Sequence, residues 1–314
     1  MSGEFERIRQ IAESLGPRAH GLGDDCAVLP PGDGRLVLST DTSVEGVHFR
    51  LDWITHREMG WRAAASALSD LAAEGAAPAG LLAAVVVPAA ASDQELVAVM
   101  GGVGDAAASS GAMVIGGDLS SGPSWAATIT VAGRAVRPVT RSGARPGDGV
   151  WVTGVLGAAR AALEAWRRHD QPAPDARSAF AHPVPRIEAG RWLASAGARA
   201  MLDLSDGLGG DIHHLAARSN VAIDLDLDAI PVSPTCPAEA RRLGVTPQQF
   251  AAEGGEDFEL LVALPPEFDA GSAASFAREC GLPITRVGAV RAGTGIRALS
   301  GGRPIVLRGY DHFR

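Results

Sequence analysis

Residues 81–118 read LLAAVVVPAAASDQELVAVMGGVGDAAASSGAMVIGGD, and this stretch decides the fold class. Leu81–Val87 is a short, continuous apolar run, the pattern of a buried strand. Ser92 followed by Glu95 forms a capping box, so a helix starts there and continues to about Ser109. Met113–Ile115 is apolar again and enters Gly116-Gly117-Asp118. Strand, helix and strand in that order predict a mixed α/β (α+β) fold. Gly101-Gly102-Val103-Gly104 falls inside the helix and reads as a packing surface, not a phosphate loop.

The same alternation extends both ways. Upstream, Arg35–Thr40 (RLVLST) reads as a strand running into Asp41, and Arg57–Gly75 as an Ala-rich helix stopped by Gly75 and Pro78. Downstream, Trp125–Gly133 alternates like a strand. Arg141–Gly149 (RSGARPGDG) is a turn-rich joint, which places two domains at 1–138 and 139–314. The second half reads as a strand at Val150–Thr153, a helix from about Leu156 to Arg168 and a Pro-rich loop from Gln171 to Arg186. A strand at Ala200–Leu204 and a helix from after Asp206 to about Ser219 follow. Beyond them lie a strand near Ile223–Leu227, a helix near Thr246–Glu253 and a strand at Phe258–Leu264. A chain of 314 residues suits two such domains.

Composition excludes several functions. The net charge is −8 and only 5% of residues are aromatic, which argues against nucleic acid or an anionic membrane as main partner. All 28 basic residues are arginine. Without lysine there is no Walker A lysine, no protein-kinase strand lysine and no Schiff base. Phosphates would have to be handled by metals, backbone amides and arginine. Cys26, Cys236 and Cys280 form no CxxC pair and read as free thiols in a reducing compartment. The first ten residues lack an apolar stretch, so no signal peptide is expected. The longest apolar run, Gly80–Ala91, is interrupted by Pro88 and falls short of the ~20 residues of a spanning helix. A cytoplasmic protein is expected.

Several carboxylates stand out by context. Asp24 and Asp25 follow Gly23, Asp41 ends a predicted strand, and Asp70 lies in an apolar helix. Asp118 follows two glycines, and Asp203 and Asp206 flank Ser205 at a strand-to-helix turn. Singly they are ordinary: Asp206 or Ser205 suits an N-cap as well as a ligand, and Asp24-Asp25 suits a turn. Gathered together they would repel one another unless cations neutralised them, which points to a multi-magnesium phosphate site. Gly116-Gly117, Gly254-Gly255 and Gly207 would allow close backbone approach to an anion. His213 and His214, about 100° apart on a helix, do not make a paired metal site. No nucleophile–base arrangement is visible.

On these residues the chain resembles the thiamine-monophosphate kinase family, within the aminoimidazole ribonucleotide synthetase-like superfamily. The likeness runs in order through Gly23-Asp24-Asp25-Cys26-Ala27, Ser39-Thr40-Asp41-Thr42 with Glu45-Gly46-Val47-His48-Phe49, and Leu68-Ser69-Asp70-Leu71-Ala72. It continues through Gly116-Gly117-Asp118 and Thr140-Arg141-Ser142-Gly143-Ala144 to Asp203-Leu204-Ser205-Asp206-Gly207-Leu208. Gly254-Gly255-Glu256-Asp257-Phe258-Glu259-Leu260 and Gly309-Tyr310-Asp311-His312-Phe313 complete it.

The resemblance implies that Asp25, Ser39, Thr40, Asp41, Asp70, Asp118, Asp203 and Asp206 hold several Mg2+ ions. It implies that Gly117, Asp118, Arg141 and Ser205 contact ATP, and that His48, Glu256 and Phe313 line the thiamine phosphate site. It further implies an N-terminal ATP/magnesium domain whose strands form a barrel shared across a homodimer. The expected activity is direct phosphoryl transfer from ATP to thiamine monophosphate, with no covalent nucleophile or general base. Rival expectations are another ATP-using enzyme of the superfamily, of cyclo-ligase or dehydratase type, or a non-catalytic nucleotide sensor. Pro183-Val184-Pro185-Arg186 keeps the family's Pro/Arg stretch, but Phe180 and His182 replace its usual His and Arg, so these residues stay outside the expected site.

Overall fold

A computed structural model describes residues 4–18 and 32–309. The motif Gly23–Ala27 with Asp25, and the C-terminal Tyr310–Phe313, lie outside the described residues. The chain separates into two units, one holding the chain up to Leu71 and Ala76–Val136, the other Ala72–Gly75 and everything from Arg137 on.

The first unit contains α1 (Glu4–Leu15), β1 (Arg35–Val44), α2 (His56–Ala73), β2 (Ala77–Pro88), α3 (Asp93–Ser109), β3 (Val114–Gly122) and β4 (Ala126–Ala135). Its four strands lie in the order β1-β4-β2-β3, antiparallel except for the β2/β3 pair, which α3 connects. Helix α2 is buried over most of its circumference: Ala63, Ala64, Ala65, Ala67, Leu68 and Leu71 are at most 1% exposed, while Ser66 and Asp70 share its remaining, polar side. So wide an apolar face must be covered by neighbouring elements. Glycine makes that covering close. A Cβ at Gly102 of α3 would strike the Arg57 carbonyl, and one at Gly60 of α2 the Val99 carbonyl, so the two helices meet backbone to backbone. The α3 start carries the expected box, with Ser92 N–H donating to Glu95 Oε2 at 2.7 Å and Glu95 N–H to Ser92 Oγ at 3.3 Å.

Alternation along β1 sorts its side chains by face. Leu36 (48% exposed) and Leu38 (60%) point away from the buried side, and Leu82 of β2 is also exposed. The cross-strand row Thr40, Thr130, Leu82 runs over that outer face. Two expectations change here. Strand β1 does not end at Asp41 but continues to Val44, because Thr42–Val44 keep pairing with Ala126–Thr128. Strand β3 likewise does not stop at Ile115 but runs through Gly116-Gly117-Asp118 to Gly122, since a residue without Cβ at 117 lets the strand pass the Ala83 carbonyl.

The second unit contains β5 (Gly149–Thr153), α4 (Ala158–Arg167), α5 (Pro174–Ala181), α6 (Ile187–Ser195), β6 (Ala200–Asp203), α7 (Leu208–Ser219) and β7 (Ala222–Asp226). It continues with α8 (Cys236–Leu243), α9 (Pro247–Ala252), β8 (Leu260–Leu264), α10 (Ala270–Cys280), β9 (Ile284–Arg291), β10 (Gly295–Ser300) and β11 (Arg303–Ile305). Its seven-stranded sheet has the order β11-β10-β7-β9-β5-β8-β6, parallel only between β10 and β7. Every residue of β5, β6 and β8 is buried, so these strands are covered on both faces. The expected Pro-rich loop contains α5, because Pro174 at its first turn loses no helical hydrogen bond and presets the backbone angle.

Candidate active site: two groups of carboxylates

In the first unit the site is built by a strand facing a helix. Ser39 and Asp41 lie two apart on β1 and share a face. Ser39 Oγ donates to Asp70 Oδ2 of α2 at 2.5 Å. The Asp41 carboxyl is pushed up to about 6, first by burial and then by the Asp70 charge, against the opposing effect of a hydrogen bond from Ser66. Asp41 and Asp70 therefore repel each other in a half-dry setting with hydroxyl oxygens beside them. A hard, oxygen-seeking cation relieves that repulsion, so the donor set fits Mg2+.

The remaining expected residues of this unit are placed differently. Thr40 is on the outer face, its Oγ1 3.0 Å from Thr130 Oγ1. Asp118 is exposed on β3, accepts from Ser120 Oγ at 3.2 Å, and lies in the cross-strand row of Ala84, Thr128 and Thr42. His48 follows β1, and its Nδ1 accepts the Val44 N–H at 3.0 Å, which folds the segment back on the strand end. Gly117 is exposed beside Asp118.

In the second unit the site is built by two loops zipped together. Strand β6 ends at buried Asp203, and the 204–207 turn leads into α7. The 254–259 segment runs alongside: Glu256 N–H donates to the Ser205 carbonyl at 2.7 Å, Phe258 N–H to Leu204 at 2.9 Å, and Leu204 N–H to Glu259 at 2.8 Å. Glycines make the approach possible. A Cβ on Gly255 would lie 2.6 Å from the Ser205 carbonyl oxygen, and one on Gly207 2.7 Å from that of Gly254. Gly254-Gly255 thus accommodate protein backbone and the Arg160 side chain, where the sequence suggested an anion. Ser205, Asp206 and Glu256 are brought together; Phe313 is not described.

Asp211, absent from the expected set, is the residue that sequence reasoning missed. It sits in the first turn of α7, is 3% exposed, and accepts the Asp206 N–H at 3.1 Å. Its carboxyl is pushed up to about 8, first by burial and then by the charges of Asp203 and Asp206, against the opposing effects of the Asp206 amide and the Arg141 guanidinium. Asp206, Asp211 and His214 each offer a ligand atom within 4.8 Å of the others. Asp211 and His214 are three apart and share a helix face, unlike the His213–His214 pair. The oxygen donors here also fit Mg2+, while the exposed His214 nitrogen suits softer divalent ions. A lone acid between Gly209-Gly210 and Ile212 was the only signal in the sequence.

Residues 23–136 match the model of AIR synthase related protein, N-terminal domain, and residues 145–299 that of its C-terminal domain. The chain is 36% identical over 324 residues to the thiamine-monophosphate kinase of Escherichia coli (strain K12), covering 98% of this chain and 95% of that protein. It is 36% identical over 277 residues to that of Mycobacterium tuberculosis (strain CDC 1551 / Oshkosh), covering 86% and 83%. Thiamine-monophosphate kinase from Stenotrophomonas maltophilia K279a superposes with a TM-score of 0.82 at 32% identity, covering 96% of each chain. AaThiL complexed with AMPPCP and TMP superposes at 0.80 with 30% identity, covering 99% and 97%. Hydrogenase maturation protein HypE in complex with ATP, at 20% identity and 0.79, shares the fold. The chain belongs to the thiamine-monophosphate kinase family of AIR synthase-related proteins.

Proposed function

We propose that this chain transfers the terminal phosphate of ATP to thiamine monophosphate, giving thiamine diphosphate. The observation that carries the reading is the hydrogen bond from Glu256 N–H to the Ser205 carbonyl. It puts the residue expected at the acceptor beside the turn expected at the nucleotide, and AaThiL binds both an ATP analogue and TMP. Asp41 and Asp70 with Ser39, and Asp203, Asp206 and Asp211, would hold Mg2+; Asp25, Thr40 and Asp118 remain candidate ligands. When bound, the metal neutralises phosphate charge and aligns the in-line displacement.

The residues themselves need do little covalent chemistry. The attacking oxygen belongs to a phosphate monoester whose second pKa is about 6, so it is already largely anionic at neutral pH. No general base is required. Arg141, Gly117 and Ser205 orient the nucleotide. Glu256 and Phe313 suit a cationic thiazolium, through charge and a ring face respectively, and His48 completes the acceptor contacts.

The N-terminal unit also carries a homodimer interface. The outer face of its sheet, with Leu36, Leu38 and Leu82 exposed, supports pairing into a shared barrel. Sedimentation of a dimer at micromolar concentration is expected; a monomer would contradict it. A cytoplasmic setting accords with the free thiols of Cys236 and Cys280, and among the described residues no helix is long and apolar enough to cross a membrane. The activity is tested by incubating the protein with ATP, Mg2+ and thiamine monophosphate. Thiamine diphosphate in stoichiometry with ADP is expected. ATP turnover without it would favour another superfamily chemistry, and nucleotide binding without turnover a sensor.

A further inference from the structure

Arg186 has no task in the reaction just described, yet its contacts single it out. It precedes α6, and its guanidinium grips Glu259 twice, Nε to Oε2 at 3.0 Å and Nη2 to Oε1 at 2.5 Å. Thr153 Oγ1 donates to the same carboxylate at 2.6 Å and accepts the Leu260 N–H at 2.8 Å. Glu259 is 3% exposed. Gly154, at φ +62°, leaves the space the carboxylate occupies, since a Cβ there would run into Glu259. The carboxylate is thus buried and held by three side-chain hydrogen bonds at the entrance of β8, with the half-buried Arg186 closing over it.

What lies just before it is strained. Glu256 (φ +68°) and Phe258 (φ +51°) are left-handed without being glycine. Such a conformation persists only where the surroundings over-determine it. Between them, both Asp257 carboxylate oxygens lie 2.9 Å from the Gly157 nitrogen, whose N–H they accept. Glu259 is therefore the downstream anchor of a loop whose upstream residue, Glu256, bonds to the Ser205 turn.

We propose that Arg186 is a positioning residue for the phosphate acceptor: its two-pronged bond to Glu259 holds Glu256 and Phe258 in their left-handed conformation and so sets Glu256 against the Ser205 turn. The inference rests on the reading that Glu256 meets thiamine phosphate. Arginine is required because two parallel N–H bonds fix the rotation of the carboxylate, whereas a lysine ammonium would balance its charge without fixing it. The alternative, a pair serving stability alone, predicts something different, because a buried ion pair replaced by apolar side chains of similar size often costs no stability.

The test compares the full-length wild type, Arg186→Lys and the double variant Arg186→Met/Glu259→Leu. Melting temperature, separate KM values for ATP and thiamine monophosphate, and hydrogen exchange of the 254–260 amides are measured. In both variants the acceptor KM should rise about tenfold or more while the ATP KM stays within about twofold. Exchange at the Glu256 and Phe258 amides should quicken about tenfold or more. The double variant should melt near the wild type and still show both defects. Wild-type acceptor KM in a double variant that melts normally would overturn the proposal, as would equal changes in both KM values, or unchanged exchange. The exchange arm needs no substrate. A wild type that makes no thiamine diphosphate would sink the functional reading, while quickened or unchanged exchange would still decide the role of Arg186 in holding the loop.

Discussion

The two groups of carboxylates are held by opposite means. Around Asp41 and Asp70 the backbone is regular, a strand in a ladder facing a helix, and the close approaches are between whole helices at Gly60 and Gly102. Around Asp206 and Glu256 the backbone is irregular, and the close approaches are between two loops at Gly207 and Gly255. The first group is a by-product of the core; the second has its own anchors in Asp257 and Glu259. Damage to the first region should therefore appear in stability or all at once in activity, and damage to the second as graded loss of substrate positioning.

The largest effect is expected at Asp41. Asp41→Asn should cut turnover by about 10³-fold, on the scale of losing one preorganised electrostatic contact, while the circular dichroism spectrum is kept. Near wild-type turnover at limiting magnesium would rule out its ligand role.

The same substitution sharpens the comparison through pH. Asp41 titrates near 6 in the folded protein against about 3.9 in the unfolded chain. Between these values the folded state binds more protons, so the metal-free protein loses stability as pH rises through that window. Asp41→Asn removes the loss, a gain bounded by about 3 kcal/mol and level above about pH 6. Asp211, pushed up to about 8, has a wider window. The gain from Asp211→Asn should keep growing from pH 6 to pH 8. Urea unfolding in chelator at pH 5, 6.5 and 8 separates the two, and parallel curves would contradict the assignment of cause.

Glycine substitutions test the difference in scaffolding with smaller effects. Gly102→Ala should destabilise by about 1–3 kcal/mol, because helix backbones must part, and leave the KM values of the folded enzyme alone. Gly255→Ala should raise the acceptor KM more than it lowers the melting temperature. Interchanged outcomes would break the distinction between the regions.

What could be read from the sequence follows the same division. The β2–α3–β3 alternation and the Ser92–Glu95 box are local, so they were legible, as was the packing role of Gly101–Gly104. The reach of β1 past Asp41 and of β3 through Gly116-Gly117 depends on partner strands and was not. Neither was α5, hidden in a Pro-rich stretch although Pro174 is well suited to a first turn. Asp206 and Glu256 stood out as motif residues, but their adjacency across some fifty positions is tertiary. Asp211 looks like any helix-surface acid until the fold buries it, and the bond between Arg186 and Glu259 joins residues 73 apart.

We propose that phosphate passes directly from ATP to thiamine monophosphate, with no phosphorylated protein on the way. ATP labelled on its terminal phosphate, mixed rapidly with enzyme and Mg2+ in the presence or absence of thiamine monophosphate, tests it most directly. With direct transfer, label enters thiamine diphosphate when the acceptor is present and none is trapped on the protein when it is absent. Label held by the protein and chased into thiamine diphosphate at a competent rate would contradict it.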